Sequence, residues 1–200
     1  MSRGEGARLF VAVDLPPGVC EELAAWGRLV AASAPKGRPS GSRPAVRALA
    51  AESLHLTLCF LGSRPLAEIA ALSAVVGECS TGVGELSVGA PLLLPPRRPR
   101  ALAVEIRDPG GELARLQRHL TTAISRACSW EPTERRGFHP HVTVARMRTD
   151  SRHLPTGQPL PATPQLHFTP RRIGLYRSWL APEGASYETV ASCELESEAP

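Results

Sequence analysis

One short pattern occurs twice in this chain, as His55-Leu56-Thr57-Leu58 and as His141-Val142-Thr143-Val144, and each copy closes a similar run of elements. In the first run, residues 8–15 read as a strand from their apolar and β-branched content, ended by Pro16 and Pro17. Val19, Leu23, Trp26, Leu29 and Val30 then recur at helical spacing, which predicts a helix over 18–34 with one buried face. A loop rich in Pro, Gly, Ser and Arg, 36–47, is expected to be exposed, and the strand 54–61 after it to stop at Gly62. The second run repeats this order, with a strand at 101–106, a helix at 111–128, a loop, and a strand at 140–146. Such a repeat restricts the fold to two pseudo-symmetric lobes that face one another. Each is expected to be an antiparallel sheet with helices on its outer face, which makes the class α+β.

The remaining segments fit one bilobal domain over 1–200 with a groove between the lobes. A helix is expected at 65–79, strands at 85–90, 166–178 and 187–194, and an exposed Pro- and Arg-rich connection at 91–100. The chain is long enough to bury its own core, and 42% hydrophobic with 21% charged residues is an ordinary globular balance. A net charge of +4 permits an anionic partner but is too small to identify a nucleic-acid binder. The five cysteines are far apart and form no Cys-x-x-Cys pair, so they are expected as reduced, buried thiols in a cytoplasmic protein. No apolar run of about 18 residues suggests a membrane span, and a monomer is expected.

In a strand, side chains two residues apart share a face, about 7 Å apart. Each histidine therefore lies beside its threonine, with Leu56, Leu58, Val142 and Val144 buried behind them. A single histidine on a strand is ordinarily a packed residue satisfied by a hydrogen bond. Two copies at matching places of a repeated unit point instead to a shared cavity of two imidazoles and two hydroxyls, which suits a phosphodiester. One neutral and one protonated imidazole near neutral pH supply a base and an acid. His139-Pro140-His141 resembles a metal-binding pair, but no further ligand cluster follows at a suitable spacing, so no metal and no other cofactor is expected.

Beyond these motifs lie Arg8-Leu9-Phe10-Val11-Ala12-Val13, Phe60-Leu61-Gly62 after the first copy, Ala145-Arg146 after the second, Leu175-Tyr176-Arg177-Ser178, and Tyr187. Over nearly its whole length the chain resembles the 2H phosphoesterase superfamily, and within it the RNA 2',3'-cyclic phosphodiesterases, also called 2'-5' RNA ligases. The resemblance implies hydrolysis of RNA 2',3'-cyclic phosphate ends to 2'-phosphomonoesters, with His55 as proton donor and His141 as proton acceptor. Thr57, Thr143 and Arg146 would then bind the phosphate oxygens. Strict alternation turns Arg146 away from His141, so the strand must end or bend near Ala145. Phe10, Phe138 and Tyr176 are candidate base or ribose contacts. The sequence departs from the family pattern at Cys59, where a lysine is common and could meet the flanking nucleotide. Two alternatives are a ligase joining tRNA-like halves by the reverse chemistry and an RNA-binding module whose histidines are structural.

Overall fold

The computed structural model describes residues 6–33, 46–132, 137–147, 160–181 and 184–196. In chain order the elements are β1 (Gly6–Val13), α1 (Pro17–Ser33), β2 (Val46–Ala48), β3 (Leu56–Pro65), α2 (Ile69–Gly77), β4 (Leu86–Leu94), β5 (Ala101–Arg107), α3 (Glu112–Ala127), β6 (His141–Met147), β7 (His167–Phe168), β8 (Arg172–Ala181) and β9 (Gly184–Glu194). Short 3-10 turns at Ala51–Ser53 and Leu66–Glu68 lead into β3 and α2.

The strands run in the spatial order β7-β4-β5-β6-β3-β1-β8-β9, with β2 also on β6, and the pairing is antiparallel. Outward from the centre, one half is β3, β1, β8, β9 and the other is β6, β5, β4, β7. Each His-x-Thr-x strand thus lies at the seam, and the first strand of each run lies one place out. A single residue pair, Leu56 opposite Val142, joins the halves. This is the two-lobed α+β arrangement expected from the repeat.

One continuous core lies under both halves because the helices cross the seam. Helix α1 follows β1 yet packs on β2 and β6, while α3 follows β5 yet packs on β3 and α2. Leu23, Trp26 and Val30 of α1 join Leu113, Leu116, Leu120 and Ile124 of α3 in that core. The four α3 residues are fully buried. At roughly 1.5–3 kcal/mol each, their burial outweighs the few tenths per residue that separate helix propensities. Helix α1 comes closest at Gly27, where a Cβ would stand 2.9 Å from the Val144 carbonyl oxygen.

Several boundaries differ from expectation. Strand β3 does not stop at Gly62 but runs to Pro65, because Gly62 adopts a left-handed conformation (φ 71°) beside a bulge and the ladder resumes. Likewise β4 continues to Leu94, since a bulge between Val88 and Pro91 accommodates the proline. The predicted strand 166–178 divides around Pro170, which has no N–H to donate. Within the stretch expected as an exposed loop, Val46 is buried and pairs with Met147, while 36–45 lie outside the described residues. All five cysteines are free, and among the described residues no helix is long and apolar enough to cross a membrane.

Candidate active site

The seam pair fixes the geometry. Leu56 and Val142 are completely buried on the helical face. Side chains alternate, so the residues on either side of them emerge on the open face. Extending the antiparallel register by one residue sets His55 opposite Thr143 and Thr57 opposite His141. Two strands that are distant in sequence thereby bring two imidazoles and two hydroxyls to one patch.

Both imidazoles are held in the same way. His55 Nδ1 lies 3.0 Å from the carbonyl oxygen of Ser53, and His141 Nδ1 lies 2.8 Å from that of His139. A carbonyl oxygen only accepts, so each Nδ1 carries the hydrogen and donates it. The free lone pair, where a proton can be gained or lost, is therefore on Nε2 of each ring. The carbonyl of His139 serves as the anchor for His141, and among the described residues no group of three or more His, Cys, Asp or Glu is arranged to hold a metal.

A bulge follows each threonine. On β3, Ala12 pairs with Thr57 and Val11 with Cys59, leaving Leu58 as the extra residue. On β6, Ala103 pairs with Thr143 and Leu102 with Ala145, leaving Val144 as the extra residue. Two successive side chains then turn to the same side, and Leu58, Cys59, Val144 and Ala145 are all buried. The next residues, Phe60 and Arg146, return to the open face and are exposed. The bend expected near Ala145 thus occurs at Val144 and brings Arg146 to the side of His141 and Thr143. Its positive charge is felt at His55. The same device buries Cys59, whose Sγ packs 3.6 Å from Thr121 Oγ1 of α3 beneath the sheet.

Aromatic rings enclose His55. The Phe10 ring lies 4.7 Å from it and the Tyr187 ring meets it edge-on at 5.1 Å, while Phe10 stacks on Tyr176 at 5.3 Å. Burial pushes the His55 imidazolium down to about 4. The Ser53 carbonyl opposes that shift, the charges of Arg146 and His141 add to it, and Asp14 opposes it. His55 is therefore neutral in the free protein at neutral pH. Beside it opens a cavity of about 510 Å³ whose wall includes Phe10, Tyr176, Tyr187, Asp14, Glu21 and Glu52. The Tyr176 hydroxyl donates to Asp14, which also pairs with Arg172, and burial pushes the phenol above its ordinary range so that it stays a donor.

Of the aromatic candidates, Phe10 and Tyr176 lie at this cavity, whereas Phe138 packs against the hydrophobic core. Asp14 was legible as the continuation of the Phe10 face of β1, two alternations further on. Tyr187 and Arg172 reach the site through pairing of β8 with β1 and β9, for which no local pattern exists. His119 is exposed on α3, His167 contacts Glu85, and His153 lies outside the described residues.

Relatives carry the same two-lobed antiparallel architecture. The family model of the 2'-5' RNA ligase superfamily matches residues 16–179, and the chain belongs to that superfamily. It is 31% identical over 152 residues to the RNA 2',3'-cyclic phosphodiesterase of Escherichia coli K12, spanning 76% of this chain and 78% of that protein. The structure of E. coli LigT complexed with 3'-AMP superposes with a TM-score of 0.73 at 27% identity, covering 96% of this chain and all of LigT. A protein of Thermus thermophilus, TT0787, is similar, with a TM-score of 0.71 at 25% identity, over 96% of this chain and all of that one.

Proposed function

We propose that this chain hydrolyses the 2',3'-cyclic phosphate end of an RNA to a 2'-phosphomonoester, by metal-independent acid–base catalysis between His55 and His141. The observation that carries the reading is the seam, where a single antiparallel pair brings two identically anchored imidazoles to the same face with free Nε2 atoms. The E. coli relative named for this activity supports the choice of substrate.

In the reaction, His141 Nε2 takes a proton from water as the water oxygen attacks phosphorus. The P–O3' bond breaks, His55 Nε2–H gives its proton to the departing 3'-oxygen, and the phosphate stays on the 2'-oxygen. Thr57 and Thr143 donate hydrogen bonds to the non-bridging oxygens, and the Arg146 guanidinium balances the charge that grows there. Because His55 is neutral in the free protein, it acquires its proton once the phosphate anion lies beside it, since a neighbouring negative charge favours imidazolium. The same lowered proton affinity favours one variation, in which the two roles are exchanged.

One set of rate measurements tests both points. On a dinucleotide with a cyclic phosphate end, in EDTA, His55→Ala and His141→Ala should each lose at least about a hundredfold in kcat/KM, the ordinary worth of general acid or base catalysis. A substrate whose 3'-oxygen is replaced by sulfur needs no acid, because a thiolate leaves unprotonated. It should rescue His55→Ala and not His141→Ala, and the opposite pattern assigns the exchanged roles. Full turnover of the ordinary substrate by either variant would remove the proposal.

A further inference from the structure

We infer that Arg8, seated over the exposed ring of Phe60, binds the phosphate that links the terminal nucleotide to its upstream neighbour, so that the pair selects oligonucleotide ends over cyclic mononucleotides. This deepens the cyclic phosphodiesterase reading and rests on it.

Position is the first ground. Alternation along β1 puts Arg8, Phe10 and Asp14 on the open face, while Leu9, Val11 and Val13 are fully buried behind. The Phe10 ring lies 4.7 Å from that of His55, and Arg8 stands one pleat repeat beyond Phe10 on the same strand. In the pairing register Ala12 faces Thr57, so Arg8 lies four residues of β1, about 13 Å of backbone, beyond the threonine, a span that its long side chain shortens toward the next phosphate of an RNA strand. Phe60 arrives on this face only because the Leu58 bulge turns it there, and it is 45% exposed, unusual for so large an apolar side chain.

Chemistry is the second. The Arg8 Cζ lies 4.8 Å from the centre of the Phe60 ring. A guanidinium over a ring engages through its face, and its N–H donors lie in its plane, free to form forked hydrogen bonds to a phosphate. Among the described residues Arg8 forms no ion pair, whereas Arg64, Arg107, Arg115 and Arg172 each have a carboxylate partner. The ring fixes this cation without neutralising it.

Charge polarity is the third. At the opposite end of β1 the cavity beside His55 presents Glu21 and Glu52 together with an Asp14 already paired with Arg172, so its carboxylates outnumber its one arginine and disfavour a second phosphate. An RNA strand whose cyclic end sits at the histidines therefore places its next anion toward Arg8.

The test compares kcat/KM for three substrates with the same terminal base: a 2',3'-cyclic mononucleotide, a dinucleotide with a cyclic end, and that dinucleotide with its linking phosphate made a neutral methylphosphonate. Arg8→Ala should lower the ratio of dinucleotide to mononucleotide by roughly ten- to a hundredfold, the worth of a charge-assisted hydrogen bond. Phe60→Leu keeps the charge but removes its seat, and should lower the ratio less. With the methylphosphonate neither substitution should matter. Turnover of all substrates with an unchanged ratio in Arg8→Ala, or an equal loss on the methylphosphonate, overturns the inference alone. No turnover of any cyclic end by the unaltered protein overturns the parent reading and this one together.

Discussion

Among single residues, His55 links the site to stability. In the folded protein it gains a proton only near pH 4, whereas in an unfolded chain a histidine titrates near 6.5. Between these values the unfolded chain binds more protons, so stability rises with pH across that window. The contribution is complete above about pH 6.5 and is lost as pH falls toward 4, on the order of 3 kcal/mol in all. Urea unfolding should therefore give a free energy about 2 kcal/mol lower at pH 5 than at pH 7, and His55→Gln should remove most of that difference. An equal pH dependence in the variant would mean that other groups carry it. The identity of the histidines and threonines was legible from the repeated motif, because chemistry requires those side chains wherever the backbone goes. The depressed proton affinity of His55 was not, since Phe10 and Tyr187 come to it from β1 and β9, with Tyr176 of β8 stacked on Phe10.

For the elements, the paired bulges matter most, and Gly27 tests one of them. An alanine there improves helix propensity by about 1 kcal/mol, yet its Cβ would press on the Val144 carbonyl oxygen, which also accepts a hydrogen bond from Leu49 N at 2.8 Å. Backbone cannot yield as a flexible side chain does, so overpacking is expected to prevail. Gly27→Ala should destabilise the protein by about 1–3 kcal/mol in urea titration. It should also reduce kcat/KM, because Val144 is the residue that turns Arg146 to the open face. A more stable, fully active variant would show that α1 has room to move. The helices α1 and α3 and the strands β1, β5 and β6 followed from periodicity, and their boundaries agree within a few residues. The continuation of β3 through Gly62 and of β4 through Pro91 did not, because a bulge is decided by the partner strand's register and leaves no local period to detect.

At the level of the whole molecule, the two halves share one backbone pair but exchange helices. Neither half can keep its core if the other melts, since α1 lies under β6 and α3 under β3. Unfolding should therefore be a single transition, with far- and near-ultraviolet circular dichroism coincident in urea. Leu23→Ala in α1 and Leu116→Ala in α3 should each lower the midpoint without separating it, at a cost of about 2–5 kcal/mol. Two resolved transitions would mean that the lobes fold independently. What the sequence determined by itself was the repeat, the faces of its strands and helices, and the residue types available for acid–base chemistry, all of which depend on neighbours within a few positions. Only the tertiary structure decided the seam register, the bulges that rotate Arg146 and Phe60 into view while burying Cys59, and the helix exchange. These arise from contacts between segments far apart in the chain, where the free energy of packing selects one register out of several that the local pattern allows.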